Sequence, residues 1–423
     1  MALFTAIISP KKRILGGVVG EFLRLAHVWP RVEIWGDQSK ISPAELAEGE
    51  YSLLVIAYSL TGQVVRQRSG GLEISMRPRD ILGAESLADS PFESEAIVGP
   101  GRITLHVGTL GSPPTYLHTS GESMVASSLP RFDSLDLTPV PVRSTAELSF
   151  GAVRYSSEGL FPEQLLEVRG LKEAAEMLVE LLYSAVKSSV ASGCAVLFSG
   201  GLDSSLLTKI MVDCGLDPLP IAVGLEGSHD LRVARESSRR MRLDLVEASL
   251  RTEDVASTLT YLRKIMPLSR PMDMALAVMV YVASQVARSQ SRRQVIAGQG
   301  ADELFGGYMR HLRLMRERGD LQSAVMRDLD TLWREGVPRD YISSALAGCM
   351  LTLPYLDPMV VAMGLRTPAS MKIMGGVRKL ILRETAALAG LPPEIAWREK
   401  KAAQYGSGLD KCIRRLLACE RSV

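Results

Sequence analysis

Cysteine is scarce and unevenly placed. The 423 residues hold five, Cys194, Cys214, Cys349, Cys412 and Cys419, and none precedes position 194. No two have the C-x-x-C spacing and the count is odd, which argues against a secreted disulfide scaffold and against a cysteine zinc site. An excess of one charge is also lacking. The 49 Lys and Arg against 47 Asp and Glu leave +2, which gives no footprint for wholesale nucleic-acid binding. No apolar run approaches the roughly 18–20 residues of a membrane span. The start, Met1-Ala2-Leu3-Phe4 and then Lys11-Lys12-Arg13, lacks the charged-then-apolar order of a signal peptide. The sequence therefore reads as cytoplasmic, with neither a membrane nor a nucleic acid as partner.

What is present is ordinary for a folded chain: 46% hydrophobic and 23% charged residues. At roughly 100–200 residues per domain, two or three domains are expected. Residues 1–150 carry short apolar runs broken by turns. Tyr51–Tyr58 precedes Thr61-Gly62, Ile103–Val107 precedes Gly108, and Thr115–His118 leads through Ser120-Gly121 to Met124–Ala126. That spacing predicts a β-rich domain with hairpins. Residues 130–145, with Pro130, Pro139 and Pro141, read as a connector, and the linker between domains is placed at 151–170.

From about 171 the pattern alternates. Leu171–Val190 keeps one apolar helical face, and Ala195–Phe198 is a short apolar strand before a glycine turn. Further strands are expected at Pro220–Leu225, Asp244–Leu250 and Gln294–Ala297. Helices are expected at Leu206–Val212, Leu231–Met241, Glu253–Met266 and Met274–Ala287. Alternation with continuous apolar strands predicts a parallel sheet covered by helices, and beyond Gly307 the chain reads as mainly helical. The fold class is thus two-domain: β-rich over 1–150, then α/β over 171–423 with a helical C-terminal part.

Two glycine turns carry the chemistry. Ser199-Gly200-Gly201-Leu202-Asp203-Ser204-Ser205 follows a strand and opens a helix. Its glycines let the backbone approach an anion, the helix start offers free N–H groups, and the serines add donors. Asp203 would be repelled by bare phosphate, so it fits only with a bridging cation such as Mg²⁺. The spacing is not that of a Walker A loop. The second turn, Gly298-Gln299-Gly300-Ala301-Asp302-Glu303-Leu304-Phe305-Gly306-Gly307-Tyr308, also follows a strand and suits a phosphate and metal site at a strand's carboxyl end.

The first string resembles the pyrophosphate loop of the PP-loop ATP pyrophosphatases, which split ATP between the α and β phosphates. The second, with Val223-Gly224-Leu225-Glu226-Gly227-Ser228-His229-Asp230-Leu231, resembles the asparagine synthetases. Leu353-Pro354-Tyr355-Leu356-Asp357, Lys372, Lys379–Arg383 and Arg398-Glu399-Lys400 match later family positions in order, so the likeness covers about 171–410. The resemblance implies ATP and Mg²⁺, with Asp203 and Asp302 as metal ligands. It places Phe198, Ser199, Gly200, Gly201, Asp203, Ser204 and Ser205 on the pyrophosphate, and Val223 and Gly298 on the adenosine. It makes Lys400 the cation at the α-phosphate, with Lys401 the alternative by one step, and adds Lys379 to the catalytic set. Gln299 stands in the same set where relatives carry glutamate; it keeps hydrogen bonding but cannot act as a base.

In the first domain, Glu48–Ser52 and Thr109–Leu117 with Ala126-Ser127-Ser128 resemble a glutaminase domain, implying an Ntn-like sandwich. Such enzymes attack glutamine with an N-terminal cysteine; here Met removal would expose Ala2, so no glutaminase activity is expected. The expected function is an AMP-forming amide synthetase that adenylates a carboxylate, the side chain of aspartate foremost, and transfers ammonia to it. A β-lactam synthetase-like or other amide-forming ligase on a specialised substrate is an alternative, as is a nucleotide-binding homologue without turnover. Small-molecule carboxylate and amine are the expected partners, with a homodimer and a separate glutaminase left open. Met272–Tyr281 is expected to line the acceptor pocket or to fill core, and Arg270 to clamp a carboxylate or lie on the surface.

Overall fold

The computed structural model describes residues 3–9, 31–37, 39–40, 42, 53–59, 64–69, 71–77, 80, 87, 90–132, 135–158, 170–317, 319–398 and 406–420. Alternating runs such as Arg102–Val107 put Ile103, Leu105 and Val107 inward and leave Arg102 and His106 outside. Such strands build two antiparallel sheets. The larger runs Thr138–Pro139, Tyr116–Thr119, Met124–Ser127, Leu3–Ile8, Leu53–Ser59, Arg31–Gly36 and Ser39–Lys40. The second runs Ala152–Ser157, Ser144–Ser149, Arg102–Val107, Ser94–Gly99, Gly71–Ser75 and Val65–Arg68. Their buried side chains belong to one continuous apolar cluster, which continues into the second half of the chain.

The proline-bearing stretch 130–145 is not a connector. Pro139 sits in a two-residue edge strand, where a missing N–H costs no ladder bond. Ser144–Ser149 pairs with Arg102–Val107 and with Ala152–Ser157, so this sheet runs on past position 150 to Ser157. Alternation in Ser144–Ser149, with Ala146 and Leu148 inward, was the available signal, and the prolines before it masked it.

The second half is built on five parallel strands in the order Val246–Leu250, Leu219–Leu225, Ala195–Leu197, Gln294–Ile296 and Met350–Thr352. The first four match the sequence pattern; Met350–Thr352 lies inside the stretch read as helical. Helices over Leu171–Ser189, Leu202–Asp213, His229–Met241, Thr252–Arg263 and Pro271–Ser289 cover the sheet. Chain order is 3-2-1-4-5 across it, so direction reverses between Ala195–Leu197 and Gln294–Ile296. In open α/β sheets the crevice beyond the carboxyl ends of such a strand pair is where ligands bind. Both glycine turns leave the sheet there.

The two halves are joined by direct contacts. The buried Tyr341 hydroxyl donates to the Gly111 carbonyl, and Gly111 packs against Leu356. No helix among the described residues is long and apolar enough to cross a membrane.

Candidate active site

The first turn is shaped by its own hydroxyls. Ser204 Oγ accepts from the Ser199 amide at 3.3 Å and lies 3.3 Å from Ser199 Oγ. Ser199 Oγ accepts from the Gly201 amide at 3.3 Å. Ser205 is fully buried and its hydroxyl makes no hydrogen bond among the described residues, so it faces the interior rather than the crevice. The Phe198 ring also lies inside, packed with Ala222, Leu231 and Ala234; what it presents to the turn is backbone. Gly298 leaves its strand against Asp203, with the position of an added Cβ 3.2 Å from Asp203 Cβ, so the two turns touch.

The carboxylates of the two turns meet on one ammonium. Lys379 Nζ donates to Asp203 Oδ1 and Oδ2, each at 2.7 Å, and lies 2.7 Å from Asp302 Oδ1. Lys379 is buried, 2% exposed, in the left-handed region at φ 56 and ahead of the helix Leu380–Leu388. A non-glycine residue is uncommon there, and the strain is held by its surroundings. The hairpin Ile373–Met374 and Val377–Arg378 delivers it, and Arg378 is tied to the Gly307 carbonyl at 2.6 Å. A Cβ on Gly307 would stand 1.7 Å from Asp302 Oδ1 and 2.3 Å from Lys379 Cε, so any larger residue would displace these two side chains. Tyr355, within the Leu353–Asp357 motif but given no role there, donates its hydroxyl to the Asp203 carbonyl at 3.1 Å and fixes the start of the helix Leu202–Asp213.

The donor set suits Mg²⁺. Two carboxylates from separate turns already converge on one cation, and hard divalent ions take oxygen ligands. Among the described residues no group of three or more His, Cys, Asp or Glu surrounds one point. A Mg²⁺ held by Asp203 and Asp302 would therefore draw its other ligands from phosphate and water, as Mg²⁺ commonly does.

Glu303, beside Asp302, does not join them. It is buried and accepts from the Tyr308 hydroxyl; burial and then the neighbouring Asp302 charge raise its pKa. Lys372 is also buried, with no hydrogen-bond partner for Nζ among the described residues, and burial pushes it down to about 8.

Gln299 points elsewhere. Its Nε2 lies 3.1 Å from where a Cβ on Gly336 would stand, and Arg339 Nη2 lies 3.9 Å from the same point. Arg339 is buried and held by Asp340 at 2.8 Å and by Asp273 at 2.8 Å, a network the sequence reading missed. The adjacent opposite charges Arg339-Asp340 in an otherwise uncharged helix were its only trace. Arg270 is 58% exposed and paired with Asp273 and Glu335, so it holds this chain's own carboxylates. Met274 and Met279 are buried and fill core, whereas Met272 is 38% exposed.

Val223 is buried in the strand Leu219–Leu225. Beyond that strand the segment around Ser407 closes over its end, with the Leu225 amide donating to Ser407 O at 2.9 Å. Asp230 lies beneath it, with Oδ1 1.8 Å from the position of a Cβ on Gly406 and Oδ2 without a hydrogen-bond partner among the described residues. Burial pushes its carboxyl up to about 7. The folded state then binds more protons than the unfolded one between 3.8 and about 7, so stability falls as pH rises through that window. Asp230→Asn should remove this slope. It is expected to raise stability at pH 8 by about 1–2 kcal/mol, discounted for partial exposure, and by less at pH 5. Thermal unfolding at the two pH values checks it, and an equal change at both would exclude titration of Asp230 as the cause.

Lys400 and Lys401 lie outside the described residues. Just before them Arg398 Nη1 donates to the Gly200 carbonyl at 3.1 Å and to Ser237 Oγ at 2.8 Å, which ties that end of the chain to the first glycine turn. Ser237 Oγ itself donates to the Gly200 carbonyl at 2.8 Å.

Known proteins are similar to this chain in sequence. A Methanocaldococcus jannaschii protein, provisionally named as glutamine-hydrolysing asparagine synthetase 1, is 32% identical over 284 residues, 59% of this chain and 52% of that protein. Asparagine synthetase B of Escherichia coli strain K12, named as glutamine-hydrolysing, is 26% identical over 334 residues, 71% of this chain and 57% of that one. The chain thus spans about half the length of the curated relatives it matches. The family model described as asparagine synthase matches residues 177–336 and 313–422, more than half of the chain and all of both glycine turns. The chain belongs to the asparagine synthase family.

Proposed function

We propose that the chain is an ATP-dependent, AMP-forming amide synthetase. The observation that carries this reading is the meeting of Asp203 and Asp302 on one buried cation at the sheet's switch point, between two glycine turns. In the proposed reaction a carboxylate oxygen of the acceptor attacks the α-phosphorus, and pyrophosphate leaves. An amine nitrogen then attacks the acyl carbon of the adenylate, AMP leaves, and the nitrogen loses a proton. Mg²⁺, when bound, neutralises charge on the leaving pyrophosphate. The N–H groups and hydroxyls at Ser199–Ser204 bind the phosphates, and Asp203 and Asp302 would hold the Mg²⁺. Lys400 is assigned the developing charge on the α-phosphate, by its match to the family lysine.

Aspartate is the first candidate acceptor and ammonia the first amine. No cysteine lies before Cys194, which supports free ammonia rather than glutamine as the proposed nitrogen donor. A specialised acceptor is the second reading, favoured by Gln299 Nε2 and Arg339 Nη2 both bordering the space at Gly336. The test mixes protein, ATP, Mg²⁺, aspartate and ammonium and measures AMP, pyrophosphate and asparagine. All three are expected, and glutamine should not replace ammonium. Pyrophosphate without asparagine would move the acceptor to the second reading. No exchange of labelled pyrophosphate into ATP with any carboxylate would reject the synthetase.

A further inference from the structure

Lys379 makes an unusual use of a buried side chain. Its ammonium sits 2.7 Å from both oxygens of Asp203 and 2.7 Å from Asp302 Oδ1, at the point where the two candidate metal ligands converge. Among the described residues, two carboxylates and one ammonium meet there. A divalent cation entering alone would meet a fixed positive charge and, among the described residues, no group of three or more carboxylate, histidine or cysteine ligands. Gly307 seals one flank, since a Cβ there would strike Asp302 Oδ1 and Lys379 Cε. The strained backbone at Lys379 and the Arg378–Gly307 tie set the base of the side chain.

We propose that Lys379 is a resident counter-cation, which holds Asp203 and Asp302 together without nucleotide, keeps free divalent ions out, and is released onto phosphate when the nucleotide brings its own metal. The proposal rests on the reading of Asp203 and Asp302 as metal ligands. A lysine suits the task because its ammonium is a compact charge on a flexible stem. The nucleotide's phosphates supply oxygens for the metal and a new partner for the ammonium. Nucleotide and metal therefore favour each other's binding, and by linkage each raises the other's affinity by the same factor.

The test titrates Mn²⁺ into the full chain without nucleotide and reads free Mn²⁺ by electron paramagnetic resonance. The parent protein is expected to bind Mn²⁺ weakly, with Kd near or above about 1 mM, the weak end for oxygen-ligated divalent sites. Lys379→Met and Lys379→Gln should bind at least about tenfold tighter, within the usual range of coupling between sites. Lys379→Arg, which keeps the charge, should stay weak. Adding Asp302→Asn to Lys379→Met should abolish the gain. Parent binding at tens of micromolar would overturn the proposal on its own, even if no variant folds. So would variants no tighter than the parent, or a gain that survives Asp302→Asn. Absence of pyrophosphate exchange would sink the synthetase reading and leave this titration standing.

Discussion

Asp203→Asn should lower ATP–pyrophosphate exchange by about 10³-fold or more, the size of loss seen when a group acting on transition-state charge is removed. The substitution keeps the shape of the side chain and removes its charge. Asp203 lies in the first turn of the helix Leu202–Asp213, where the helix start favours a carboxylate. Its backbone carbonyl stays held by the Tyr355 hydroxyl, so the helix should start in the same place. What is lost is half of the pair that grips Lys379 Nζ and, in the proposed reaction, half of the protein's hold on Mg²⁺. Asp302 still partners Lys379 and an asparagine oxygen can still accept, so the stability cost should be about 1–2 kcal/mol rather than that of an orphaned buried charge. Exchange assays with thermal unfolding separate the two effects. Exchange within tenfold of the parent would remove Asp203 from the metal site. Asp302→Asn should behave in the same way, because it supplies the other half.

These two carboxylates were legible in the sequence because each sits in a short glycine string between a strand and a helix. The parallel sheet was legible for the same local reason: Leu219–Leu225 and Gln294–Ile296 are apolar runs bounded by turns. Met350–Thr352 was not, since three residues after a helix carry no period of their own; their strand character comes from pairing with Gln294–Ile296. Tertiary reach was the larger blind spot. Lys379 stands 176 positions from Asp203, and nothing in a one-dimensional pattern places its ammonium between the two turns. Family likeness put Lys379 in the catalytic set without saying what it touches. Gln299 was singled out for lacking a base, yet its amide reaches toward Gly336 and a buried arginine that no motif contained. Ser205 matched the loop by position, but a helix turns each successive side chain by about 100°, which carries its hydroxyl into the core.

Gly200→Ala should combine a loss of stability with a loss of nucleotide binding. Gly200 has φ +68, and a Cβ there would stand 2.8 Å from the Val233 carbonyl oxygen, 2.8 Å from Ala234 Cα and 2.9 Å from Ser237 Oγ. The first two are backbone of the helix His229–Met241, which cannot yield as a side-chain tip can. Gly215 is the control: its φ is +71, but nothing lies within 4 Å of the added atom. Gly215→Ala should therefore cost only the left-handed penalty, about 1 kcal/mol, and leave MgATP binding unchanged. Gly200→Ala should cost about 2–4 kcal/mol, because the same penalty is joined by overpacking against fixed backbone. The turn can relieve the clash only by moving away from the helix. That motion breaks the bonds from Ser237 Oγ at 2.8 Å and Arg398 Nη1 at 3.1 Å to the Gly200 carbonyl. In the proposed nucleotide site it would also swing the N–H groups at Gly201–Ser204 off the phosphates, so MgATP affinity by calorimetry should fall by about a hundredfold or more, the scale of a 1 Å misplacement. Equal unfolding shifts in the two variants would show that the helix gives way. Unchanged MgATP binding in Gly200→Ala would take the turn out of the nucleotide site.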